Sequence, residues 1–177
     1  MTDNFYTEFD ETTEDLLRTI SSFSQEQFNA IPFEGSWTAG QVAEHLLKSE
    51  SGIPKILRGN TRPADRDSCE KVEAIRSIFL DFNTKLKSPE FILPSGEAKD
   101  KEIILSKFKT KMGETRKMMD TTDLSQIFTD FPFPQLGEFT GWEWICFAIC
   151  HSKRHTHQMK NILKVLESQQ HFSDKPV

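Results

Sequence analysis

Apolar residues recur along this chain at the three- and four-residue spacing of α-helices, and stretches rich in polar residues, Pro and Gly separate the runs. Leu16, Leu17 and Ile20 share one face of residues 13–23, which predicts a first helix with a start as early as Thr7. Residues 24–35 read as a connection broken by Pro32 and Gly35. The next run carries its own start signal. Thr38 as N-cap with Gln41 three residues on forms a capping box, and Trp37 with Val42 forms a hydrophobic staple. The helix is therefore expected to begin at Thr38 or Ala39. It should end or kink near Gly52, because Pro54 lacks a backbone donor and collides with the preceding turn, and one further turn should follow through Leu57.

Residues 59–68 are polar and irregular. Residues 70–85 place Val72, Ile75, Ile78, Phe79 and Phe82 at helical spacing, which predicts a helix, with a shorter helix or a partly extended segment as the alternatives. Residues 88–100, with Pro89, Pro94 and the apolar run Phe91, Ile92 and Leu93, read as a connection pinned to the core. A third long helix is expected over 100–120, with Ile103, Ile104, Phe108, Met112 and Met119 on its buried side. Residues 131–144 form a Pro-rich approach to the last helix, expected over about 141–166. Thr140 and Glu143 supply its capping box, Phe139 and Trp144 its staple, and the tail from Ser168 onward should fray. Nothing alternates with period two, and there is no internal repeat. The pattern is all-α: a four-helix bundle in one domain over residues 1–177, with an additional helical or irregular segment between the second and third long helices.

Composition narrows the class. With 36% hydrophobic and 28% charged residues the chain has the makeup of a soluble globular protein. A net charge of -5 argues against a large nucleic-acid footprint, which needs concentrated Lys and Arg. No segment approaches a membrane span, and the acidic N-terminus is no secretory signal, so a cytoplasmic protein is expected. Cys69, Cys146 and Cys150 form neither an even set nor a CxxC pair, as suits a reducing compartment.

Three of the five histidines fall in the stretch CHSKRHTHQMKNIL. At about 100° per residue, positions four apart on a helix project from one face, so His151 and His155 lie one turn apart, with Gln158 on the same stripe. Trp144, Phe147 and Ala148 extend that stripe on one side, and Ile162, Val165 and Leu166 on the other. The pair is thus placed on the face that packs inward, while His157 and His171 fall on the surface. Buried imidazoles need partners: either they bond to each other, to water or to facing carboxylates, or they bind one transition-metal ion. His45 stands inside the second helix, on a stripe with Val42, Ser49, Ile53 and Ile56, whereas Glu44 lies on a more polar side. A third imidazole from a separate helix would complete a three-histidine site with an open position for water. The HExxH pattern of zincins is absent.

These residues resemble the DinB-like (YfiT-type) four-helix-bundle metalloenzymes. The matching stretches are GSWTAGQVAEHL in the second helix, the approach FPFPQLGEFTGWEW, and the HxxxHxxQ pattern His151, His155 and Gln158; residues 59–100 match no motif of that family. The resemblance implies a helical bundle, often a homodimer, with a zinc or nickel site held by His45, His151 and His155. It further implies a small-molecule substrate and either hydrolysis or thiol transfer with a low-molecular-weight thiol as co-substrate. Gln158 is then a candidate to position a ligand or support the histidine pair, and Arg154 to bind a substrate carboxylate. The rival is a non-enzymatic metal-binding or stress-related interaction protein of the same fold.

Overall fold

The acidic N-terminal run is helical because Phe5, Phe9, Leu16 and Ile20 fall on successive turns of one face, and all four are buried. This helix, α1, spans Asp3–Ser21 and so begins earlier than Leu16, Leu17 and Ile20 alone indicate. The computed structural model describes residues 3–173. The expected connection after α1 contains a short helix, α2 (Gln25–Asn29), which starts at a capping box of Ser24 and Gln27. Helix α3 (Ala39–Glu50) opens as expected: Thr38 Oγ1 accepts from the Gln41 backbone N–H at 3.1 Å, and Gln41 Oε1 accepts from the Thr38 N–H at 3.0 Å. Pro54 does interrupt the run, and it sits in the first turn of α4 (Ile53–Ile56), where its missing N–H leaves no helical acceptor unfilled.

Helix α5 (Val72–Phe79) is the shorter of the helices that the spacing over 70–85 allows. Ile75 and Phe79 are buried, but Ile78 and Phe82 are exposed, so the apolar pattern outruns the helix. Helix α6 (Lys101–Thr121) is capped by Asp100, whose Oδ1 accepts from the Ile103 N–H at 3.0 Å. Ile104, Phe108, Met112 and Met119 line its buried face as expected; Ile103, one residue and about 100° away from Ile104, is 53% exposed and does not join them. Helix α7 spans Gly141–Ser173, past the expected end at Leu166 and into the tail expected to fray. Of that tail, residues 174–177 lie outside the described residues, as does the side chain of His171.

Four long helices make the bundle: α1 and α3 each pack against both α6 and α7, and α5 lies along α7. One departure from an all-helical chain is a small antiparallel sheet of β1 (Thr61–Arg62), β2 (Ile127–Phe133) and β3 (Gly137–Thr140) in the order β1, β2, β3. The stretch read as a Pro-rich approach is therefore largely a hairpin. Its register shifts between the Phe128–Phe139 and Phe133–Gly137 pairs, and the consecutive residues Ile127 and Phe128 are both buried, so no period-two pattern reached the sequence. The ladder between β1 and β2 ends at Phe128, and Asn60 continues the contact by accepting from the Thr129 N–H at 3.0 Å, so Pro132 lies beyond the pairing that would need its missing N–H. Phe133 stacks on Phe139 at 4.7 Å between ring centres, and Phe139 meets Trp144 edge-on at 5.1 Å, fixing the hairpin to the first turn of α7.

At this junction the backbone itself is tight. A Cβ on Gly141 would lie 2.7 Å from Leu124 Cα and 2.6 Å from its Cδ2. Leu124 cannot withdraw cheaply, since its carbonyl accepts from the Trp142 N–H at 3.1 Å. Gly141→Ala is therefore expected to cost about 1–3 kcal/mol, the usual range for forced overpacking, in urea denaturation. An unchanged midpoint would mean that the loop at Leu124 yields.

Candidate metal centre

Three imidazoles from two helices converge in the bundle. His45 comes from the middle of α3, His151 and His155 from consecutive turns of α7, and all three are buried. Ring centres are 5.3 Å apart for His45 and His151, 4.7 Å for His45 and His155, and 4.6 Å for His151 and His155. One nitrogen from each ring can be chosen so that all three lie within 4.8 Å of one another. Apolar walls surround the rings: Phe147 stacks on His151 at 5.1 Å, Phe79 meets it edge-on at 5.7 Å, and Trp37 lies 5.3 Å from His45.

The far side of each ring faces an oxygen. His45 Nδ1 is 3.0 Å from the Ile92 carbonyl, and His155 Nδ1 is 2.9 Å from Gln158 Oε1. As these oxygens only accept, both Nδ1 atoms carry the proton, and Nε2 keeps its lone pair. His151 Nδ1 looks toward Glu50 Oε1 at 3.6 Å, too long for a hydrogen bond. The Nε2 atoms of His151 and His155 are 3.0 Å apart. That separation suits an N–H···N bond with the proton on His151, and equally two lone pairs directed at one cation. Nitrogens each about 2.0–2.1 Å from a shared tetrahedral ion stand roughly 3.3 Å apart. The donor set, neutral imidazole nitrogens of borderline softness with oxygen acceptors behind them, fits zinc or nickel better than a hard cation.

Electrostatics hold the rings neutral. Burial, reinforced by the neighbouring rings and by Arg154, depresses His151 well below the ordinary imidazole value. Burial and the proximity of His45 push His155 down to about 3, and burial lowers His45 as well. Neutral imidazole is the form that binds metal.

The other candidates fall as follows. Gln158 supports His155. Arg154 donates to the backbone carbonyls of Phe79, Asp81 and Thr84, and so fastens the chain beyond α5 over the site while satisfying carbonyls at the end of that helix. Glu44 is not a free solvent residue. It accepts from Lys99 Nζ and the Ser95 N–H, each at 2.8 Å, and Lys48 Nζ donates to the Leu93 carbonyl at 2.7 Å. Residues 92–99 are thus strapped to α3, and the strap supplies the carbonyl behind His45. The expected pinning of this segment is made by its backbone and the Lys99 ammonium, for the Phe91 and Leu93 side chains are 71% and 41% exposed. His157 lies on the surface, stacked on Phe82 at 4.4 Å. His157→Ala is expected to leave zinc affinity, measured by chelator competition, unchanged within about twofold, because the ring points away from the cluster. A tenfold loss would contradict that placement.

Glu50 went unread in the sequence. It completes the i, i+3, i+4, i+7 face of Ala43, Leu46, Leu47 and Glu50, a carboxylate at an apolar position, and that spacing was the available signal.

A model of the DinB superfamily matches residues 8–159. The chain is 28% identical to the uncharacterized protein YuaE of Bacillus subtilis (strain 168) over 163 residues, which cover 90% of this chain and 97% of that protein. Among solved structures it is similar to YfiT from Bacillus subtilis, described as a probable metal-dependent hydrolase with an unusual four-helix bundle topology. The TM-score is 0.63 and the identity 19%, over 94% of this chain and 87% of YfiT. It is also similar to TT2238, a four-helix bundle protein, with a TM-score of 0.55 and 18% identity over 91% of this chain and 99% of that one.

Proposed function

We propose that this chain, which belongs to the DinB superfamily, is a metal-dependent enzyme that holds zinc or nickel through His45, His151 and His155 and hydrolyses a small molecule. One observation carries the reading: three buried imidazole nitrogens within 4.8 Å of one another, on rings kept neutral by their surroundings. A divalent ion in such a site supplies Lewis acidity, acidifying water or a thiol so that hydroxide or thiolate forms near neutral pH. The protein's own residues do the rest. Ile92 and Gln158 orient His45 and His155, while Phe79, Phe147 and Trp37 exclude bulk water and strengthen electrostatic interactions at the centre. Hydrolysis is favoured over thiol transfer because YfiT is described as a probable hydrolase. A low-molecular-weight thiol as co-substrate is the second form of the same chemistry.

We also expect a homodimer in the cytoplasm. No helix among the described residues is long and apolar enough to cross a membrane, and the exposed Ile31 and Phe33 offer apolar surface for a second copy. Metal analysis of the untagged protein as purified should find close to one zinc or nickel per chain. A chelator should abolish hydrolysis of a panel of esters and amides, and the metal should restore it. Turnover only with a thiol and an electrophile would select the transferase form. Bound metal without turnover of either kind would favour the non-enzymatic protein, and a chain that binds neither metal would defeat the proposal.

A further inference from the structure

We propose that Glu50 is a positioning residue that sets the His151 imidazole for metal binding; this rests on the reading of the three histidines as a metal site. Glu50 occupies the last turn of α3 and is 1% exposed. Neither of its carboxylate oxygens has a hydrogen-bond partner among the described residues, and neither does His151 Nδ1, yet Glu50 Oε1 lies only 3.6 Å from that nitrogen. A modest rotamer change closes the gap.

The rest of the cluster says what the contact is for. His45 has the Ile92 carbonyl behind Nδ1 and His155 has Gln158 Oε1 behind its own, at 3.0 and 2.9 Å. Glu50 is the third member of that set, and it sits behind the one ring with no other oxygen to orient it. An acceptor at Nδ1 fixes the ring's rotation and its protonation site, leaves the Nε2 lone pair toward the shared centre, and makes the imidazole a stronger donor. A carboxylate does this more strongly than a carbonyl. The placement has a cost: an acid among Ala43, Leu46 and Leu47, without a full hydrogen bond, destabilises the metal-free fold. A merely structural residue at this position would be apolar.

The test uses the full chain, zinc with a chromogenic chelator, and cobalt(II) as a spectroscopic probe. Glu50→Gln is expected to weaken zinc binding about 10–100-fold, to shift the visible bands of the cobalt(II) protein, and to raise the unfolding temperature of the metal-free protein. Glu50→Met should do the same, and it serves as the measured variant if Glu50→Gln does not fold. Unchanged zinc affinity and an unchanged cobalt spectrum would overturn the role of Glu50. So would a loss of zinc affinity accompanied by a lower metal-free unfolding temperature, since that marks a structural residue. If the wild-type chain binds no zinc or cobalt, the three-histidine reading itself fails, an outcome distinct from tight wild-type binding that the Glu50 variants leave untouched.

Discussion

Replacing His151 with alanine should lower zinc affinity by more than about 100-fold, beyond the 10–100-fold typical of supporting partners, while the metal-free protein stays folded. The His151 ring faces both other imidazoles, with its centre 5.3 Å from that of His45 and its Nε2 3.0 Å from that of His155. His45→Ala and His155→Ala should fall in the same range, because a site with two imidazoles loses a third of its donors and its enclosure. The rings also set the acid response of the metal-free chain. An imidazole whose folded pKa lies below its unfolded value binds fewer protons in the fold, so stability drops as pH falls below about 6.5 and levels off only when the folded ring titrates. For His155, held down to about 3 by burial and by His45, the loss at pH 5 is about 2 kcal/mol. Glu50 works in the opposite sense. Burial raises its carboxyl well above the ordinary value, so its contribution is lost as pH rises above about 4.5. Between about 4.5 and 6.5, three depressed imidazoles oppose one raised carboxyl, and acidification is a net loss. Urea denaturation of the metal-free protein at pH 7 and pH 5 measures it. Equal or greater stability at pH 5 would mean that the rings are not held neutral.

What the sequence disclosed was whatever is encoded locally. Thr38 with Gln41 and Thr140 with Glu143 announced two helix starts, because a capping box needs only residues three apart. The histidine stripe was legible for the same reason: His151 and His155 share a face by helix geometry, and Phe147 and Trp144 on that face turn it inward. That His45 meets them could be suspected from its apolar neighbours, but its distance from α7 is a tertiary fact. The strap over α3 was illegible in a deeper sense. Its contacts with His45, Lys48 and Gln41 are made by the carbonyls of Ile92, Leu93 and Ser95, which every residue type possesses, while the apolar side chains of Phe91 and Leu93 point outward. The hairpin was hidden by its irregular register, and Arg154 by a role that depends on where α5 stops. Conversely, the spacing of Glu50 from Ala43, Leu46 and Leu47 is legible in the sequence, but a charged residue near a helix end is usually solvated, so the pattern alone does not mark it as buried.

Glu143→Ala should be among the most destabilising single substitutions in the chain, at about 3–5 kcal/mol, the cost of leaving one partner of a buried ion pair alone. Glu143 has no exposed surface. Its carboxylate accepts from both Arg66 terminal nitrogens, at 2.6 and 2.7 Å, from the Lys71 N–H at 2.8 Å and from the Thr140 N–H at 2.9 Å. One side chain thereby joins two stretches distant in sequence: the loop before α5 and the junction of β3 with α7. Alanine keeps none of these bonds and leaves the Arg66 guanidinium, whose side chain is 15% exposed, with only the longer contact to Glu70 at 3.9 Å as counter-charge. By contrast, Lys160→Ala removes only a half-exposed pair with Asp15 and should stay within about 0.5 kcal/mol. Glu143→Gln should fall between, because an amide still accepts from Thr140 but turns a donor toward Arg66. The loss should also reach the histidines. Lys71 immediately precedes α5, and Phe79 at the other end of α5 packs edge-on against His151 at 5.7 Å. A helix loosened at its start holds that wall less firmly, so zinc affinity should fall in Glu143→Ala even at temperatures where the chain remains folded. Urea denaturation and chelator competition on one preparation separate the two effects. A stability within 1 kcal/mol of wild type would mean that water reaches Arg66 and that the junction is not the closed, buried pair its geometry indicates.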